Sequence, residues 1–259
     1  MKTKKSLNKA HSEQQVRNEA LLVRSEIGLA RAIKNARTAF VEQCAEAFEF
    51  QGVRSFDAEA MVFRITLRLL FAAQAKLIIP LFGRLTREDI RGLAEKAIDD
   101  GFFTALIDRW LAEYGMAHVQ AIAETAQGDV LKAVTAGVVA GEGTEAIARR
   151  IRKVSALSAW RAATIARTET HQAALFAQAE TARRAEQEYG LQLVKVWLPT
   201  LDSRTRDAHA AMARHPAIPL NEKFRVGGEL MDRPGDPAGS AHNTVNCRCT
   251  LVMREAPTE

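Results

Sequence analysis

The stretch Ala185-Glu-Gln-Glu-Tyr-Gly-Leu-Gln-Leu-Val-Lys-Val-Trp197 decides the fold, because the pattern of the chain changes within it. Before Gly190 the sequence is rich in Ala, Glu and Arg, which are good helix formers. From Leu191 to Trp197 apolar and polar residues alternate well enough for a strand. Five of the seven prolines lie in the segment 199–237 that follows. The chain therefore divides into a helical zone and a zone of loops and short strands.

Upstream of this stretch, residues 12–189 are predicted to form helices with short breaks. We expect helices over 15–50, from 57 to a stop near Pro80, from a capping Thr86 to Gly101, and over 102–127, 130–139, 145–153 and 156–187. Downstream, strands are expected over 191–197, 224–226 and 249–253. The predicted class is α+β, with a mainly helical N-terminal region and a small β-containing C-terminal region packed on a long helix. We place the boundary between two domains, 1–140 and 141–259.

Composition limits the class of protein. Hydrophobic residues make up 47% and charged residues 26% of the 259, as in globular proteins. The net charge of +5 permits contact with DNA, but outside Arg149–Lys153 the arginines are spread along the chain, which argues against a DNA-binding module. No apolar run is long enough for a membrane anchor, and no signal peptide is recognisable. Three cysteines, an odd number, fit a reducing compartment, so we expect assembly in the cytoplasm.

A first group of polar residues lies inside the long predicted helix. Arg167 and Glu169 flank Thr168, and because they are two apart they project in different directions. We predict that each fixes a loop of the C-terminal region. The alternative is that both are ordinary surface charges.

A second group follows the first strand, in the sequence Asp202-Ser-Arg-Thr-Arg-Asp-Ala-His209. Asp202 is predicted to cap a short helix that starts near Ser203, which would place Thr205 and His209 on one face. His209 is interpreted as a general base, a metal ligand or a buried, hydrogen-bonded histidine.

The third group is His242-Asn-Thr-Val-Asn-Cys-Arg-Cys249. Thiols two residues apart on a strand share a face, and a disulfide between them would be strained. One interpretation is a zinc site formed by His209, His242, Cys247 and Cys249. The other, which we favour, is that the thiols are small buried side chains and that the protein has no cofactor. Signatures of nucleotide-binding loops, zinc proteases and serine hydrolases are not found in the sequence.

These groups occur in a specific order: ARTET, then W-x₄-D-x-R-T-R-x₂-H, then F-x-V-G-G-E-x-M-x₂-P-G-D-P, then N-C-R-C. The ordered set, over about 141–253, resembles the C-terminal domain of the phage Mu F-like minor head proteins. The matching residues are Arg167, Thr168, Glu169, Trp197, Asp202, Arg204, Thr205, Arg206, His209, Phe224, Gly227, Gly228, Pro234, Gly235, Asp236, Pro237, Asn246, Cys247, Arg248 and Cys249. Some family members have a histidine three residues before the first cysteine, where this chain has Thr244.

The resemblance implies a minor head protein involved in head morphogenesis, not an enzyme. It implies a location in the virion, in the capsid interior or at the portal vertex, and the portal protein and other head proteins as partners, with DNA contact in packaging or ejection left open. Residues 1–140 are the candidate for the portal contact. The motif residues are expected to form a structural network, whose members are Arg167, Glu169, Asp202, Arg204, Thr205, His209, Asn246 and Arg248. The rival hypothesis is a metal-dependent hydrolase or nuclease-like domain that uses Asp202 and His209.

Overall fold

A computed structural model describes residues 4–51, 56–90, 98–154 and 158–256 of the chain. Eight α-helices are found among these residues: α1 Lys4–Gln51, α2 Asp57–Asp89, α3 Asp100–Trp110, α4 Met116–Val139, α5 Thr144–Lys153, α6 Ser158–Tyr189, α7 Asp207–Ala211 and α8 Ala241–Thr244. A turn of π-helix, Leu111–Gly115, joins α3 to α4. The α+β class with a mainly helical N-terminal part is therefore confirmed.

The predicted helix stop at Pro80 is wrong, because α2 continues through Pro80 to Asp89. Proline in a helix removes one hydrogen bond and costs about 3 kcal/mol. Ile78, Ile79 and Phe82, which surround Pro80, are fully buried, and their burial offsets that cost. Thr86 is likewise inside α2, where its hydroxyl donates to the carbonyl oxygen of Phe82 instead of capping a new helix.

Two other predicted helix boundaries are shifted. Gly101 lies inside α3 instead of ending a helix, and the segments predicted as 102–127 and 130–139 are divided differently, with α4 running without a break to Val139. The helix predicted over 15–50 lies within α1, and the helix predicted over 156–187 corresponds to α6, although its predicted first residues, 156 and 157, lie outside the described residues.

Five strands are found among the described residues of the C-terminal region: β1 Leu193–Leu198, β2 Ile218–Pro219, β3 Phe224–Val226, β4 Glu229–Met231 and β5 Thr250–Glu255. β1 is the centre of an antiparallel sheet of order β2-β1-β5. β3 and β4 form a separate hairpin. Gly227 and Gly228 connect that hairpin with φ angles of 56° and 90°, and positive φ at both central residues is typical of a type I′ turn.

The described residues of the chain form two compact units. One consists of Met1–Glu26, Gln74–Arg109 and Arg167–Glu259, and the other of Ile27–Ala73 and Trp110–Ala166. The second unit is helical and has its own core, in which Phe40 stacks on Phe63 with ring centroids 5.0 Å apart. The predicted boundary between domains near residue 140 stays a prediction.

The first unit contains the C-terminal strands and the later part of α6. Its core joins Leu175 and the alanines of α6 to Trp197, Phe224 and the apolar side chains of β5. Residues 168–179 of α6 are buried on all sides. Small alanine side chains allow neighbouring segments to approach the helix closely, which positions its few polar residues against the C-terminal loops.

Candidate functional site

Arg167 and Thr168 of α6 form hydrogen bonds with the segment that contains Cys247 and Cys249. Nη1 of Arg167 donates to Oδ1 of Asn246 over 2.5 Å, and its Nε donates to Oε2 of Glu26 over 3.1 Å. The backbone N–H of Asn246 donates to the hydroxyl of Thr168 over 3.0 Å. Asn246 has a φ of 59°, a left-handed conformation that asparagine tolerates better than most residues. ARTET and N-C-R-C, which the sequence places 80 residues apart, therefore contact each other directly.

A buried acidic residue of α1, Glu26, belongs to this contact region. Burial raises the pKa of Glu26, and the adjacent guanidinium of Arg167 opposes that rise. Glu169 is also buried, in α6, the helix that carries Arg167. The partner Glu26 was not predicted, because it lies in a long helix with no motif around it.

His171 is a further residue of this region that sequence reasoning missed. Its ring is buried, and its Nε2 lies 2.6 Å from the carbonyl oxygen of Cys249. A carbonyl oxygen only accepts, so Nε2 carries the proton and donates it. Burial lowers the pKa of His171, which favours the neutral ring. The sequence signal that could have identified it is its position four residues after Arg167, which places both side chains on one face of the helix.

Asp202 forms a second contact to the cysteine segment. Its two carboxylate oxygens accept from Nη1 and Nη2 of Arg248, each over 2.6 Å. This hydrogen bonding, together with the backbone N–H of Arg204, holds the pKa of Asp202 well below its usual range. The hydroxyl of Thr200 donates to the carbonyl oxygen of Arg248 over 2.7 Å. The turn after β1 is thereby fixed to the segment that leads into β5.

The predicted role of Asp202 as a helix cap is wrong. α7 begins only at Asp207, and Asp202 instead stabilises its own turn by accepting from the backbone of Arg204. Thr205 donates to the carbonyl oxygen of Thr200 and so closes the same turn. The side chain of Arg204 is 69% exposed and lies 3.7 Å from Asp202, a weak surface ion pair.

His209, Cys247 and Cys249 come together in the interior. Nδ1 of His209 lies 3.3 Å from Sγ of Cys249 and 3.6 Å from Sγ of Cys247. All three side chains are buried. A hydrogen bond from the Cys247 thiol, and then the adjacent His209, lower the pKa of Cys249 to about 4, while the same contact raises the pKa of Cys247. His242, the fourth ligand of the predicted zinc set, is exposed on α8 and does not belong to this group.

A family model with the description "Phage Mu protein F like protein" matches residues 128–252 of the chain. This match contains every motif residue discussed above. This part of the chain belongs to the phage Mu protein F-like family.

Two curated relatives align with the Mu F-like part. The minor head protein GP7 of Bacillus phage SPP1 is 32% identical over 125 residues, 48% of this chain and 39% of that protein. The NAD(+)–arginine ADP-ribosyltransferase EFV of Enterococcus faecalis is 31% identical over 127 residues, 48% of this chain and 25% of that protein. The chain thus spans well under half the length of either relative. No solved structure matches significantly.

The motif F-x-V-G-G-E-x-M-x₂-P-G-D-P of the Mu F-like region builds a loop that closes over a buried ion cluster. The carboxylate of Asp236 accepts from the backbone N–H groups of Asp232 and Ala238 and so fixes the loop. This leaves the carboxylate of Asp232 directed at Lys195 and Arg183, at 2.5 and 2.6 Å. Sequence reasoning missed this cluster. The signal was Lys195, a charged residue at an inward position of β1 between Leu193 and Trp197.

Proposed function

We propose that this protein is a structural component of a phage head, a minor head protein that acts in head morphogenesis and catalyses no reaction. The observation that carries the proposal is the alignment of its Mu F-like region with a minor head protein, GP7 of phage SPP1. We further propose the portal vertex or the capsid interior as its location, and the portal protein as its main partner.

The arrangement of the motif residues supports a structural role. Arg167 is bonded to Glu26 and Asn246, and Arg248 is bonded to Asp202, so these charges stabilise the loops of the molecule. A hydrolase of the rival kind needs Asp202 and His209 to act on one substrate. Instead the carboxylate of Asp202 is bound to Arg248, and His209 is buried against the two thiols.

The surface that we propose for the portal contact is on α2. Met61, Val62, Ile65 and Leu69 lie at helical spacing, and each is about half exposed or more. An apolar stripe of this kind is typical of a surface that is covered by a partner. Leu67 and Phe71 of the same helix are buried in the core. By length and composition α2 could also cross a membrane, a property that core helices share.

DNA contact is a weaker part of the proposal. The run 149–153 is a concentration of basic residues in the sequence. Within it Arg150 is paired with Glu142, and Arg152 is paired with Glu42 and Glu49. These carboxylates reduce the positive potential that this surface offers to a phosphate backbone.

The test is co-purification with the portal protein encoded in the same genome. We expect a stable complex, and we expect the protein in purified proheads by mass spectrometry. The triple variant Met61→Gln, Ile65→Gln, Leu69→Gln should lose binding while its melting temperature is retained. Val138→Gln with Val139→Gln, an exposed apolar pair on α4, is the control and should bind normally.

Two outcomes would count against the proposal. Normal binding of the portal protein by the α2 triple variant would show that the exposed apolar face of α2 is not the contact surface. Failure of the wild type to bind the portal protein and to enter proheads, together with metal-dependent DNA hydrolysis that His209→Ala abolishes, would favour the hydrolase.

A further inference from the structure

The cluster of His209, Cys247 and Cys249 has the geometry of a metal site. One donor atom of each side chain, Nδ1 or Sγ, lies within 4.8 Å of the other two. The two donor distances from Nδ1 are 3.3 and 3.6 Å. Zn–S bonds of about 2.3 Å and Zn–N bonds of about 2.0–2.1 Å place the donors of a tetrahedral site roughly 3.5–3.8 Å apart. Both Nδ1–Sγ distances are within a few tenths of an ångström of this spacing, and shifts of no more than about 1 Å would allow all three side chains to bind one ion.

The donor set also selects the ion. Two thiolates and an imidazole are the ligands that zinc prefers in proteins, whereas magnesium and calcium prefer oxygen. The site lies in the interior of the Mu F-like region, so an ion bound there would be held away from bulk water.

A fourth protein ligand is not found among the described residues of the group. His242 is exposed on α8, and the carboxylate of Asp202 is occupied by Arg248. A cavity of about 10 Å³ adjoins the cluster and is lined by His209, Cys247 and Cys249 themselves, together with polar residues such as Thr200 and Thr205. This is about the space that one water molecule needs. Water is therefore the natural fourth ligand.

The cluster is held in place by contacts that do not involve the ion. The carbonyl oxygen of Cys249 accepts from His171, Arg248 is bonded to Asp202, and the N–H of Asn246 is bonded to Thr168. The backbone of the cysteine segment is fixed in this way and does not have to be ordered when the ion binds. The ion would consequently add stability to a folded region and would not be needed to fold it.

We propose that His209, Cys247 and Cys249 bind one zinc ion, with water as the fourth ligand. This assignment does not depend on the proposed function in the phage head. The competing possibility is a metal-free cluster in which the thiols are simply small buried side chains hydrogen-bonded to the histidine.

The experiment is a titration of the reduced, chelator-treated full-length protein with zinc or cobalt(II) under anaerobic conditions. We expect saturation at about one ion per chain and a higher melting temperature after zinc binding. Cobalt should give thiolate-to-metal charge-transfer absorption together with the visible bands of a tetrahedral site. Cys249→Ser and His209→Asn should each lose this absorption. The matched controls Cys44→Ser and His242→Ala should keep it, because neither residue is part of the cluster.

A second measurement needs no variant, in case substitution of a buried ligand prevents folding. X-ray absorption at the zinc edge of the loaded wild type should report two sulfur neighbours and one imidazole. The proposal is overturned if folded, reduced wild type takes up no stoichiometric ion. It is equally overturned if the zinc neighbours are only oxygen and nitrogen, or if Cys247→Ser with Cys249→Ser binds as wild type does.

Discussion

Nζ of Lys195 lies 2.5 Å from Oδ1 of Asp232 in the interior of the Mu F-like region, where Lys195 is 1% exposed. Arg183 and Arg233 approach the same carboxylate, at 2.6 and 3.4 Å. Burial lowers the pKa of Lys195, and Asp232 opposes this effect. One carboxylate thus faces two buried cations, Lys195 and Arg233, and the partly exposed Arg183. Removal of the carboxylate and removal of one cation should therefore destabilise the fold by different amounts.

We predict that Asp232→Asn destabilises the protein by about 3–5 kcal/mol, because it leaves buried cations without a counter-charge. Lys195→Met should cost clearly less. In that variant Asp232 keeps Arg183, and methionine fills the space of the lysine stem with an apolar side chain. Urea denaturation of both variants measures the difference. Equal losses, or a greater loss for Lys195→Met, would show that the carboxylate is not the centre of the cluster.

The same carboxylate predicts a dependence of stability on pH. Burial raises the pKa of Asp232, but Arg183 and Lys195 together lower it below its ordinary value of about 3.9. Since the pKa is lower in the folded state, the ionised form stabilises the fold above about pH 4, and this contribution is lost as the pH falls through the folded pKa. The free energy of unfolding should therefore decrease below about pH 4. The free energy of unfolding of the Asp232→Asn variant should decrease less over that pH range than that of the wild type. Equal decreases in the two proteins would contradict this prediction.

The cluster illustrates what the sequence could predict. Alternation in β1 correctly predicted the strand, and it placed Lys195 on the inward side with Leu193 and Trp197. Its partner Asp232 comes 37 residues later, in a loop without periodicity, and so could not be identified. The same limit applies to the thiols. A separation of two residues allows the thiols to lie near each other, although both precede β5 and neither lies in a strand as predicted. Which histidine joins them depends on tertiary packing, which places His209 beside them and leaves His242 exposed.

Arg167 connects α6 to the cysteine segment and to α1, and we predict that Arg167→Met lowers stability by about 2–4 kcal/mol. The reason is that the variant leaves the buried carboxylate of Glu26 without its cation and removes the bond to Asn246. Thermal unfolding monitored by circular dichroism is the measurement. Arg149→Met is the matched control, since Arg149 and its partner Glu145 are mostly exposed, and it should change stability by less than about 1 kcal/mol. Similar melting temperatures for both variants would exclude a structural role for Arg167.

Asn246 combines a side-chain role with a backbone role, and two substitutions separate them. Asn246→Gly removes the bond to Arg167 but keeps the freedom to adopt a φ of 59°. Asn246→Ala removes the same bond and adds the cost of a left-handed alanine, about 1–2 kcal/mol. We therefore expect both variants to be less stable than wild type, and the alanine variant to be the less stable of the two. If the glycine variant proves less stable than the alanine variant, the backbone conformation of Asn246 does not limit the choice of residue.

Gly235 and Gly190 provide a final comparison, between two glycines with nearly the same φ angle, 70° and 64°. A β-carbon at Gly235 would lie 3.1 Å from Cγ of Gln172 and 3.2 Å from Nδ1 of His171, whereas a β-carbon at Gly190 meets nothing within 4 Å. Both alanine variants incur the left-handed cost of about 1–2 kcal/mol. Only Gly235→Ala must also displace side chains of α6, which are buried on all sides and cannot move aside freely. We expect Gly235→Ala to be less stable than Gly190→Ala by about 1–3 kcal/mol in urea denaturation. Gly235→Ala should also displace the ring of His171, which donates a hydrogen bond to the carbonyl oxygen of Cys249. Equal stability of the two variants would mean that the loop Pro234–Pro237 does not pack closely against α6 in solution.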